Sequence, residues 1–561
     1  MHYPELAAVW AQMTSPGAPF EIEEVDVRGQ SLRAYKNAPA TVRDFWLGTA
    51  PCAEREYLIY ENERLTYGQC HAITANVAAW LHAQGVRRGD RVSIAMRNYP
   101  EWMLAYWACA LGGYACVGVN AWSTSEELAY ALADSAPKVI VADRERLDRL
   151  AASGADPSIK IVAVRAEGPA GSTPWADVTA FQGEAPPGDV DPDDDMCIFY
   201  TSGTTGKPKG AQLTHRGCTN NVFNMAFASE TFRQATHMGR TKLTDPAPPS
   251  PVPAALITTP LFHVTANNCL TYTATLVGGR VVLMYRWDAG EALKLIEAEG
   301  VTSMSGVPTM ARELIHHPNF GKHDLSTLTT LSGGGAAVPP DLVAKIGKAS
   351  PVAQPGTGYG MTECCGVITS VYSDFFSDKP ESCGPLLPTF VGKCVDDDGR
   401  EVGPGEMGEL WVKGGTVIKG YINQPKATAE TITDGWLHTG DVARIDADGF
   451  VFLVDRKKDM ILRGGENVYC AEVEAALFRH PDVAEACVFG IPDERLGEEV
   501  GAAVVLHPGR SATSDAIRAH TLELIAKHKT PSRLWVLDEA LPRNASGKFL
   551  KRELRERLAG S

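Results

Sequence analysis

The run Tyr200-Thr201-Ser202-Gly203-Thr204-Thr205-Gly206-Lys207-Pro208-Lys209-Gly210 follows a short apolar segment, 196–199, that reads as a buried strand. The run combines three glycines, four aliphatic hydroxyls and two lysines. A strand opening into such a loop presents backbone N–H groups, hydroxyls and cationic tips together, which is what a polyphosphate needs. The run is not a Walker A loop, because Gly206-Lys207 is followed by proline. The sequence therefore predicts a different phosphate loop, with a flexible surface linker as the alternative.

The length, net charge and cysteine content of the chain limit the class of protein to which it can belong. Its 561 residues exceed what one hydrophobic core usually serves, so several domains are expected. The formal charge of −15 argues against broad nucleic-acid binding, although a local basic loop can still oppose the global sign. The 13 cysteines show no C-x-x-C spacing, which predicts reduced thiols and a cytoplasmic protein. Neither a signal peptide nor an apolar run long enough for a transmembrane segment is visible.

Helices and strands alternate over residues 65–143. Thr66 is placed to cap a helix, residues 91–96 read as a strand, residues 101–111 as an apolar helix and residues 139–142 as a second buried strand. Such alternation predicts an α/β fold with a largely parallel sheet covered by helices on its faces.

The later part of the chain changes character twice. Turn signals at 396–400 and 446–449 lie in β-rich sequence, which predicts a small β subdomain over about 390–455. The prolines of 240–253 predict an exposed loop between a helix and the next strand. After the basic tetrad 456–459 the pattern becomes a compact α+β unit. It has predicted helices at 473–478 and 514–525 and predicted strands at 485–490 and 500–506.

We therefore expect a large N-terminal domain of α/β sheets, residues 1–456, that includes the β subdomain. A small α+β C-terminal domain, residues 457–561, is expected to be hinged to it.

Three further signals follow the phosphate loop. Gly358-Tyr359-Gly360-Met361-Thr362-Glu363 is predicted to be a second loop, whose carboxylate suits Mg²⁺ beside a phosphate; a surface turn is the alternative. Thr439-Gly440-Asp441 follows an aromatic turn and offers a carboxylate to ribose hydroxyls, although turn formation alone also explains it. Near the end, Lys548 lies in a Ser-Gly turn, where a lysine is usually a solvated surface charge.

Each of these signals has an ordinary explanation when taken alone, but their combination in this order indicates a known family. Over residues 65–558 the chain resembles the adenylate-forming superfamily of acyl-CoA synthetases, aryl-CoA ligases, luciferases and nonribosomal adenylation domains. The phosphate loop and the Lys548 segment are the most specific parts of the resemblance. It implies an AMP-forming acid–thiol ligase that uses ATP, Mg²⁺ and CoA.

The resemblance assigns the nucleotide and metal positions. The residues that match its phosphate loop are Thr201, Ser202, Gly203, Thr204, Thr205, Gly206 and Lys209. The Mg²⁺-associated positions are matched by Thr201 and Glu363. The adenine and α-phosphate positions are matched by Gly334, Gly335, Ala336, Thr357, Gly358, Tyr359 and Thr362. The ribose-binding carboxylate is matched by Asp441, with Arg456 as its cationic partner.

The resemblance also implies two poses of the C-terminal domain. Lys548 matches the lysine that contacts the acid carboxylate and the phosphate during adenylation, and Lys458 matches the hinge. For the thiol step the family rotates this domain and brings another loop to the site, whose glycines admit the pantetheine arm. The residues that match this loop are Gly464, Gly465, Glu466 and Asn467; a plain turn is the alternative. The catalytic set implied is Lys548, Thr201, Glu363 and Arg456.

The acyl pocket is expected around His263, Val264 and Asn267, although His263 could also be an ordinary core histidine. Some long-chain relatives carry a tryptophan four residues after the position of His263, and here Asn267 stands there. This departure weakens any claim for a tryptophan-gated fatty-acyl tunnel.

The leading prediction is a ligase that joins a fatty or other hydrophobic carboxylic acid to CoA in two half-reactions, releasing pyrophosphate and then AMP. One alternative is an aryl-CoA ligase of the coumarate type, and another is an adenylation enzyme that serves a carrier protein. A carrier domain with a phosphopantetheine serine is not seen after Lys548, which disfavours the latter. A non-catalytic homologue would require a damaged phosphate loop, Glu363 or Lys548, and all are intact. The partners expected are small molecules and no nucleic acid, and a homodimer is compatible with the family.

Overall fold

The computed structural model describes residues 3–201, 207–240, 253–333, 346, 354–544 and 547–558. The chain divides into two compact units, one made of Met1–Val391 and Val412–Leu437, the other of Gly392–Trp411 and His438–Ser561. The mixed α/β class predicted from the sequence is confirmed. The domain division at residue 456 and the hinge at Lys458 stay predictions, because compactness alone does not identify independently folding domains.

The helices alternate with the strands along most of the chain. They are α1 Pro4–Thr14, α2 Val42–Leu47, α3 Tyr67–Ala83, α4 Pro100–Gly112, α5 Ser125–Ser135, α6 Arg144–Ser153, α7 Trp175–Thr179, α8 His215–Ala235, α9 Tyr272–Leu276, α10 Ala289–Glu299, α11 Pro308–His316, α12 Ser373–Asp378, α13 Pro425–Thr431, α14 Cys470–Phe478, α15 Ser514–Leu524 and α16 Lys551–Leu558. Short 3₁₀ or π turns occupy Ala50–Cys52, Thr236–Arg240, Thr265–Thr271, Phe320–Lys322 and Thr362–Cys364. None of the helices in the described ranges has both the length and the apolar character needed to cross a bilayer.

The strands before residue 375 are β1 Ile22–Val27, β2 Gln30–Tyr35, β3 Glu56–Tyr60, β4 Glu63–Thr66, β5 Arg91–Ala95, β6 Ala115–Gly118, β7 Val139–Asp143, β8 Lys160–Val164, β9 Thr173–Pro174, β10 Asp195–Thr201, β11 Lys209–Thr214, β12 Ala254–Ile257, β13 Arg280–Leu283, β14 Ser303–Gly306, β15 Thr330–Gly333, β16 Gln354–Met361 and β17 Gly366–Tyr372. The later strands are β18 Gly384–Pro385, β19 Phe390–Val395, β20 Gly408–Gly414, β21 Ile432–Thr433, β22 Trp436–Ile445, β23 Phe450–Arg456, β24 Ile461–Arg463, β25 Glu466–Val468, β26 Val483–Asp493, β27 Gly497–Leu506 and β28 Arg533–Leu537.

Two large sheets form the first unit. One has the strand order β11-β10-β6-β5-β7-β8-β9 and the other β17-β16-β15-β14-β12-β13-β3-β4. Their inner strands are parallel, and the antiparallel strands β11, β17 and β4 lie at the edges. The inner strands β6, β7 and β12 are buried along their whole length, which suits parallel strands covered on both faces. The parallel sheets predicted from the alternating pattern are therefore confirmed.

Local sequence signals set several element ends in this unit. Thr66 caps α3 in a capping box, since its hydroxyl accepts from the Gln69 amide at 3.2 Å and the Gln69 side chain accepts from the Thr66 amide at 2.8 Å. Helix α4 begins at Pro100 and ends before Gly113, whose φ of +65° is the left-handed conformation that glycine adopts without strain. These boundaries lie within two residues of those predicted.

The second unit contains antiparallel β22 and β23 and a separate sheet of order β25-β24-β27-β26, to which β28 adds in parallel with β27. Helices α14 and α15 cover that sheet, with Val473 and Ile517 fully buried against its strands. The helices and strands predicted after residue 456 are all present.

Two local predictions were wrong. Of the loop predicted from Gly358 to Glu363, residues 358–361 lie in strand β16, which pairs with β17, and only Thr362 and Glu363 lie in a turn. Thr439-Gly440-Asp441 likewise lies inside β22, which already begins at Trp436. The exposed loop predicted over 240–253 falls mostly on residues 241–252, outside the described part of the chain.

Candidate active site

The candidate groups of the first unit follow the carboxyl ends of parallel strands. In the second sheet, β12 ends at Ile257 before the predicted acyl segment, β15 ends at Gly333, and β16 leads into Thr362 and Glu363. In the first sheet, β10 ends at Thr201. Because parallel strands end at one edge of a sheet, ligands of α/β proteins bind at that edge.

Asn98 joins the carboxyl edges of the two sheets. It follows β5 of one sheet, and its side-chain amide donates to the Thr259 carbonyl at 3.0 Å, just beyond β12 of the other. Its side-chain oxygen accepts from the Leu261 amide at 2.9 Å. Asn98 is buried, so these bonds hold the start of the predicted acyl segment against the first sheet. The two edges are therefore joined at the start of the predicted acyl segment.

A chain of contacts connects the predicted phosphate-loop and metal positions. Thr201 and Lys209 are register partners across β10 and β11, and the Thr201 hydroxyl donates to the Lys209 carbonyl at 3.4 Å. The Lys209 ammonium lies 4.9 Å from the ring centre of Tyr421. The Tyr421 hydroxyl in turn donates to the Glu363 carboxylate at 2.8 Å. Thr201 and Lys209 of the predicted phosphate loop are thus connected to Glu363, which was predicted from a different motif.

Tyr421 is a residue that sequence reasoning missed, since no motif contains it. Burial and the neighbouring Glu363 carboxylate raise the pKa of its phenol. It therefore stays protonated and keeps donating to Glu363 at neutral pH. The donated hydrogen bond fixes one carboxylate oxygen and leaves the orientation of the other well defined.

The residues present fit a magnesium ion that is shared with substrate phosphates. Within the described ranges no group of three or more His, Cys, Asp or Glu side chains could hold a metal. Mg²⁺ commonly takes one or two carboxylates and completes its shell with water and phosphate oxygens. The buried Glu363 carboxylate and the Thr201 hydroxyl are oxygen donors of this kind.

The predicted nucleotide wall is formed mainly by strand β16. The Thr357 hydroxyl donates to the Gly333 carbonyl at 3.2 Å, and the Tyr359 amide donates to the Thr369 hydroxyl at 3.3 Å. A Cβ on Gly358 would lie 2.9 Å from the Thr369 carbonyl oxygen, so close strand packing accounts for this glycine. The phosphate-loop residues 202–206 and the adenine-side residues 334–336 lie outside the described residues.

The predicted acyl segment follows β12, with His263 and Val264 in a turn and Asn267 in the π-helical turn Thr265–Thr271. His263 is half-buried and its Nδ1 lies 3.2 Å from the Thr265 hydroxyl, whereas Val264 and Asn267 are buried. The Asn267 amide donates to the His263 carbonyl at 3.0 Å, so these two residues lie one turn apart. The segment lies at the carboxyl edge of the sheet, where the sequence placed it.

In the second unit the predicted ribose pair is formed. Asp441 and Arg456 are register partners across β22 and β23, and the Arg456 Nε lies 2.9 Å from the Asp441 carboxylate. Asp441 is buried, and the Thr439 hydroxyl accepts from its amide at 3.2 Å. Lys458 lies in the turn that follows β23.

The glycine loop predicted for the thiol step is a two-residue hairpin. Gly464 and Gly465 connect β24 to β25 with φ of +59° and +90°, which two-residue hairpins of this kind require. Glu466 and Asn467 follow on the exposed side of the hairpin.

Lys548 closes another tight turn. Its amide donates to the Asn544 side chain at 3.0 Å, and its carbonyl accepts from the Asn544 amide at 2.8 Å. Residues 545–546 of this turn are outside the described part of the chain.

Comparison with known proteins gives consistent results. The sequence model of the AMP-binding enzyme family matches residues 48–422, and that of the AMP-binding enzyme C-terminal domain matches residues 472–548. The chain is 38% identical to a feruloyl-CoA synthase of Amycolatopsis sp over 497 residues, which cover 88% of this chain and 94% of the relative. It is 31% identical to 4-coumarate-CoA ligase 1 of Narcissus pseudonarcissus over 507 residues, or 89% and 90% of the two chains.

Several solved structures have the same fold as this chain. The o-succinylbenzoate CoA synthetase of Bacillus subtilis, in complex with its acyl-adenylate intermediate, superposes with a TM-score of 0.76 at 30% identity, covering 91% of this chain and 97% of that one. ATP-bound MatB of Rhodopseudomonas palustris superposes with a TM-score of 0.81 at 28% identity, covering 93% and 99%.

Proposed function

The chain belongs to the AMP-binding enzyme family, and from that premise we propose that it joins an aromatic carboxylic acid of the hydroxycinnamate type to CoA. As a member of the family it is an AMP-forming acid–thiol ligase that uses ATP, Mg²⁺ and CoA. The observation that carries the aromatic choice is the 38% identity to a feruloyl-CoA synthase over most of both chains. The sequence-based analysis favoured a fatty acid as the substrate and kept an aromatic acid as the alternative. We now favour the aromatic acid. Asn267 at the position of the tunnel tryptophan supports the same change.

In the first half-reaction the acid carboxylate attacks the α-phosphorus of ATP and pyrophosphate leaves. Two anions must approach, so the site has to offset their repulsion. Glu363 and Thr201 are proposed to hold Mg²⁺, which supplies positive charge at the phosphates when bound. Lys209 and the backbone N–H groups of the 202–206 loop are proposed to hold the phosphate oxygens. Lys548 is proposed to bridge the acid carboxylate and the α-phosphate.

The nucleoside is proposed to be held at two places. Residues 334–336 and the β16 segment from Thr357 to Tyr359 would contact the adenine, and Thr362 would contact the α-phosphate. The Asp441 carboxylate would accept from the ribose hydroxyls, because the contact with Arg456 orients it. Arg456 would add a cationic contact of its own.

In the second half-reaction the thiol of CoA attacks the acyl carbon and AMP leaves. The mixed anhydride already activates the acyl group, so a nucleophilic side chain is not required. The Gly464–Gly465 hairpin is proposed to admit the pantetheine arm, with Glu466 and Asn467 beside it. Exchange between the two poses would occur by rotation about Lys458.

A pyrophosphate-release assay tests the proposal. The purified chain with ATP and Mg²⁺ is given matched aromatic and aliphatic acids, with and without CoA, and the thioester is identified by mass. We expect the highest kcat/KM for hydroxycinnamates, with formation of their CoA thioesters. A preference for fatty acids would overturn the aromatic assignment while leaving the ligase chemistry in place. An adenylate that persists despite CoA would instead indicate a carrier-protein acceptor. The cytoplasmic location and the homodimer remain predictions.

A further inference from the structure

Asn267 is a fully buried polar side chain at the predicted acyl pocket. It lies in the π-helical turn Thr265–Thr271, and its backbone N–H donates to the His263 carbonyl at 3.0 Å. Side chains one helical turn apart lie on the same face, so Asn267 shares the face of His263. Its carboxamide is therefore at the carboxyl edge of the sheet, where the acid is proposed to bind.

The orientation of this carboxamide is set by its neighbours. The Asn267 Nδ2 donates to the Asn268 Oδ1 at 3.0 Å, while the Asn268 Nδ2 is turned towards the Cys218 sulfur at 3.3 Å. Because Asn268 presents its oxygen to Asn267, a flipped Asn267 would place two oxygen atoms against each other. The Asn267 Oδ1 must therefore lie on the other side of its carboxamide.

That oxygen is buried and has no hydrogen-bond partner within the part of the chain that the structure describes. Buried polar atoms in folded proteins are nearly always paired with protein, water or ligand, because an unpaired one loses its hydration without compensation. The group in question is an acceptor, so its partner must be a donor. An aliphatic side chain such as leucine would fill the same space without this cost, so packing alone does not call for asparagine here.

We propose that the Asn267 Oδ1 accepts a hydrogen bond from a hydroxyl or amino group on the acid. The inference rests on the proposed function and narrows its substrate class to aromatic acids that carry such a donor. The acid carboxylate is proposed to lie towards the strand end, and Asn267 lies one turn farther along the chain than His263. The donor is therefore on the part of the acid remote from its carboxylate.

The test uses two acids that differ by one hydroxyl, 4-hydroxycinnamate and cinnamate. Wild-type protein and Asn267→Leu are compared by kcat/KM in the pyrophosphate-release assay. We expect wild type to prefer the hydroxylated acid by at least tenfold, since a site built to bond a hydroxyl rejects the analogue without one. In Asn267→Leu the preference should fall to about threefold or less. Thr231→Val in α8 is the control, because its hydroxyl is also buried without a partner among the described residues and the variant should keep the wild-type ratio.

The outcomes separate this inference from the proposed function. If wild type uses both acids equally, Asn267 holds a buried water and the inference falls, whether or not Asn267→Leu folds. If wild type discriminates but Asn267→Leu retains the same ratio, another residue recognises the hydroxyl and the inference again falls. If wild type acts on neither acid but does act on aliphatic ones, the aromatic assignment fails and takes this inference with it.

Discussion

The two groups of predicted site residues are held in opposite ways. At the sheet edge of the first unit, Thr201 and Glu363 are fixed by strand register and by the Tyr421 hydroxyl. In the second unit, Lys548 and the Gly464–Gly465 pair lie in short turns between antiparallel segments. The first arrangement suits groups that must be preorganised around phosphate, and the second suits groups that are presented and withdrawn. Variants at the sheet edge should impair nucleotide binding, on which both half-reactions depend. Variants in the two turns should each impair one half-reaction.

The largest effect is expected at Lys548. Lys548→Ala should slow adenylate formation on the order of 10³-fold, because removing one preorganised charge from a developing anion costs about that much. Thiolysis of supplied acyl-adenylate should change by less than about threefold. Single-turnover assays of each half-reaction measure the two rates. Lys527→Ala, an exposed lysine of the same unit, is the control. Equal loss of both half-reactions would contradict the separation of roles.

The next effect is expected at the fixed edge. Glu363→Gln keeps the shape of the side chain and an acceptor for the Tyr421 hydroxyl but loses the charge. It should lower adenylation about 10²-fold and raise the Mg²⁺ concentration that gives half-maximal rate. A magnesium titration of pyrophosphate release measures both quantities. Glu299→Gln removes an equally buried carboxylate that pairs with Arg64, and it should lower stability without moving the magnesium midpoint. An unchanged midpoint in Glu363→Gln would remove Glu363 from the metal site.

A smaller effect is expected at the glycine hairpin. Gly465→Ala should slow thioester formation about tenfold while adenylation stays within about twofold, because the added methyl strains a φ of +90° and narrows the approach of the thiol. Gly509 also has positive φ and open space around it in the same unit, so Gly509→Ala controls for strain alone. Both half-reactions are measured separately. If the two alanine variants behave alike, the hairpin has only a structural role.

The smallest effect on neutral activity is expected at His215, which lies at the opposite end of β10 and β11 from Thr201 and Lys209. His215 begins α8 directly after β11, and burial lowers its pKa to about 4. The neutral ring accepts from the Val42 amide at 3.1 Å. Since the folded pKa lies below the unfolded one, the unfolded chain binds the proton more readily. The neutral His215 ring therefore contributes about 3 kcal/mol to the free energy of unfolding above about pH 6.5, and this contribution is lost as the pH falls towards 4.

Urea unfolding of wild type and His215→Gln between pH 7.5 and 4 measures this response. His215→Gln should show a flatter dependence with near-normal activity at neutral pH, and His237→Gln, at an exposed histidine, should follow wild type. Identical curves for His215→Gln and wild type would show that acid sensitivity arises elsewhere.

Local patterns were enough to predict much of the fold. The Thr66 cap, the apolar strand at 91–95 and the helix from Pro100 were all recognisable, because side-chain periodicity and end-capping act over a few residues. The glycines from Gly358 were misread as a loop, since glycine signals a turn in isolation. In the folded chain the absence of a Cβ there allows β16 to pack closely against β17. A single sequence does not contain the identity of that neighbouring strand.

By itself, the sequence determined the α/β class, the order of the motifs and the chemical types of groups that a ligase of this family needs, since each is written in short contiguous runs. Only the tertiary structure decided which of these groups meet. Tyr421 reaches Glu363 across 58 positions of the chain, and Asn98 bonds to Thr259 across 161. The Asn267 oxygen, which has no partner among the described residues, likewise became visible only once its neighbours were in place. Such pairings depend on sheet order and burial, which arise from the packing of the whole chain and not from any local segment.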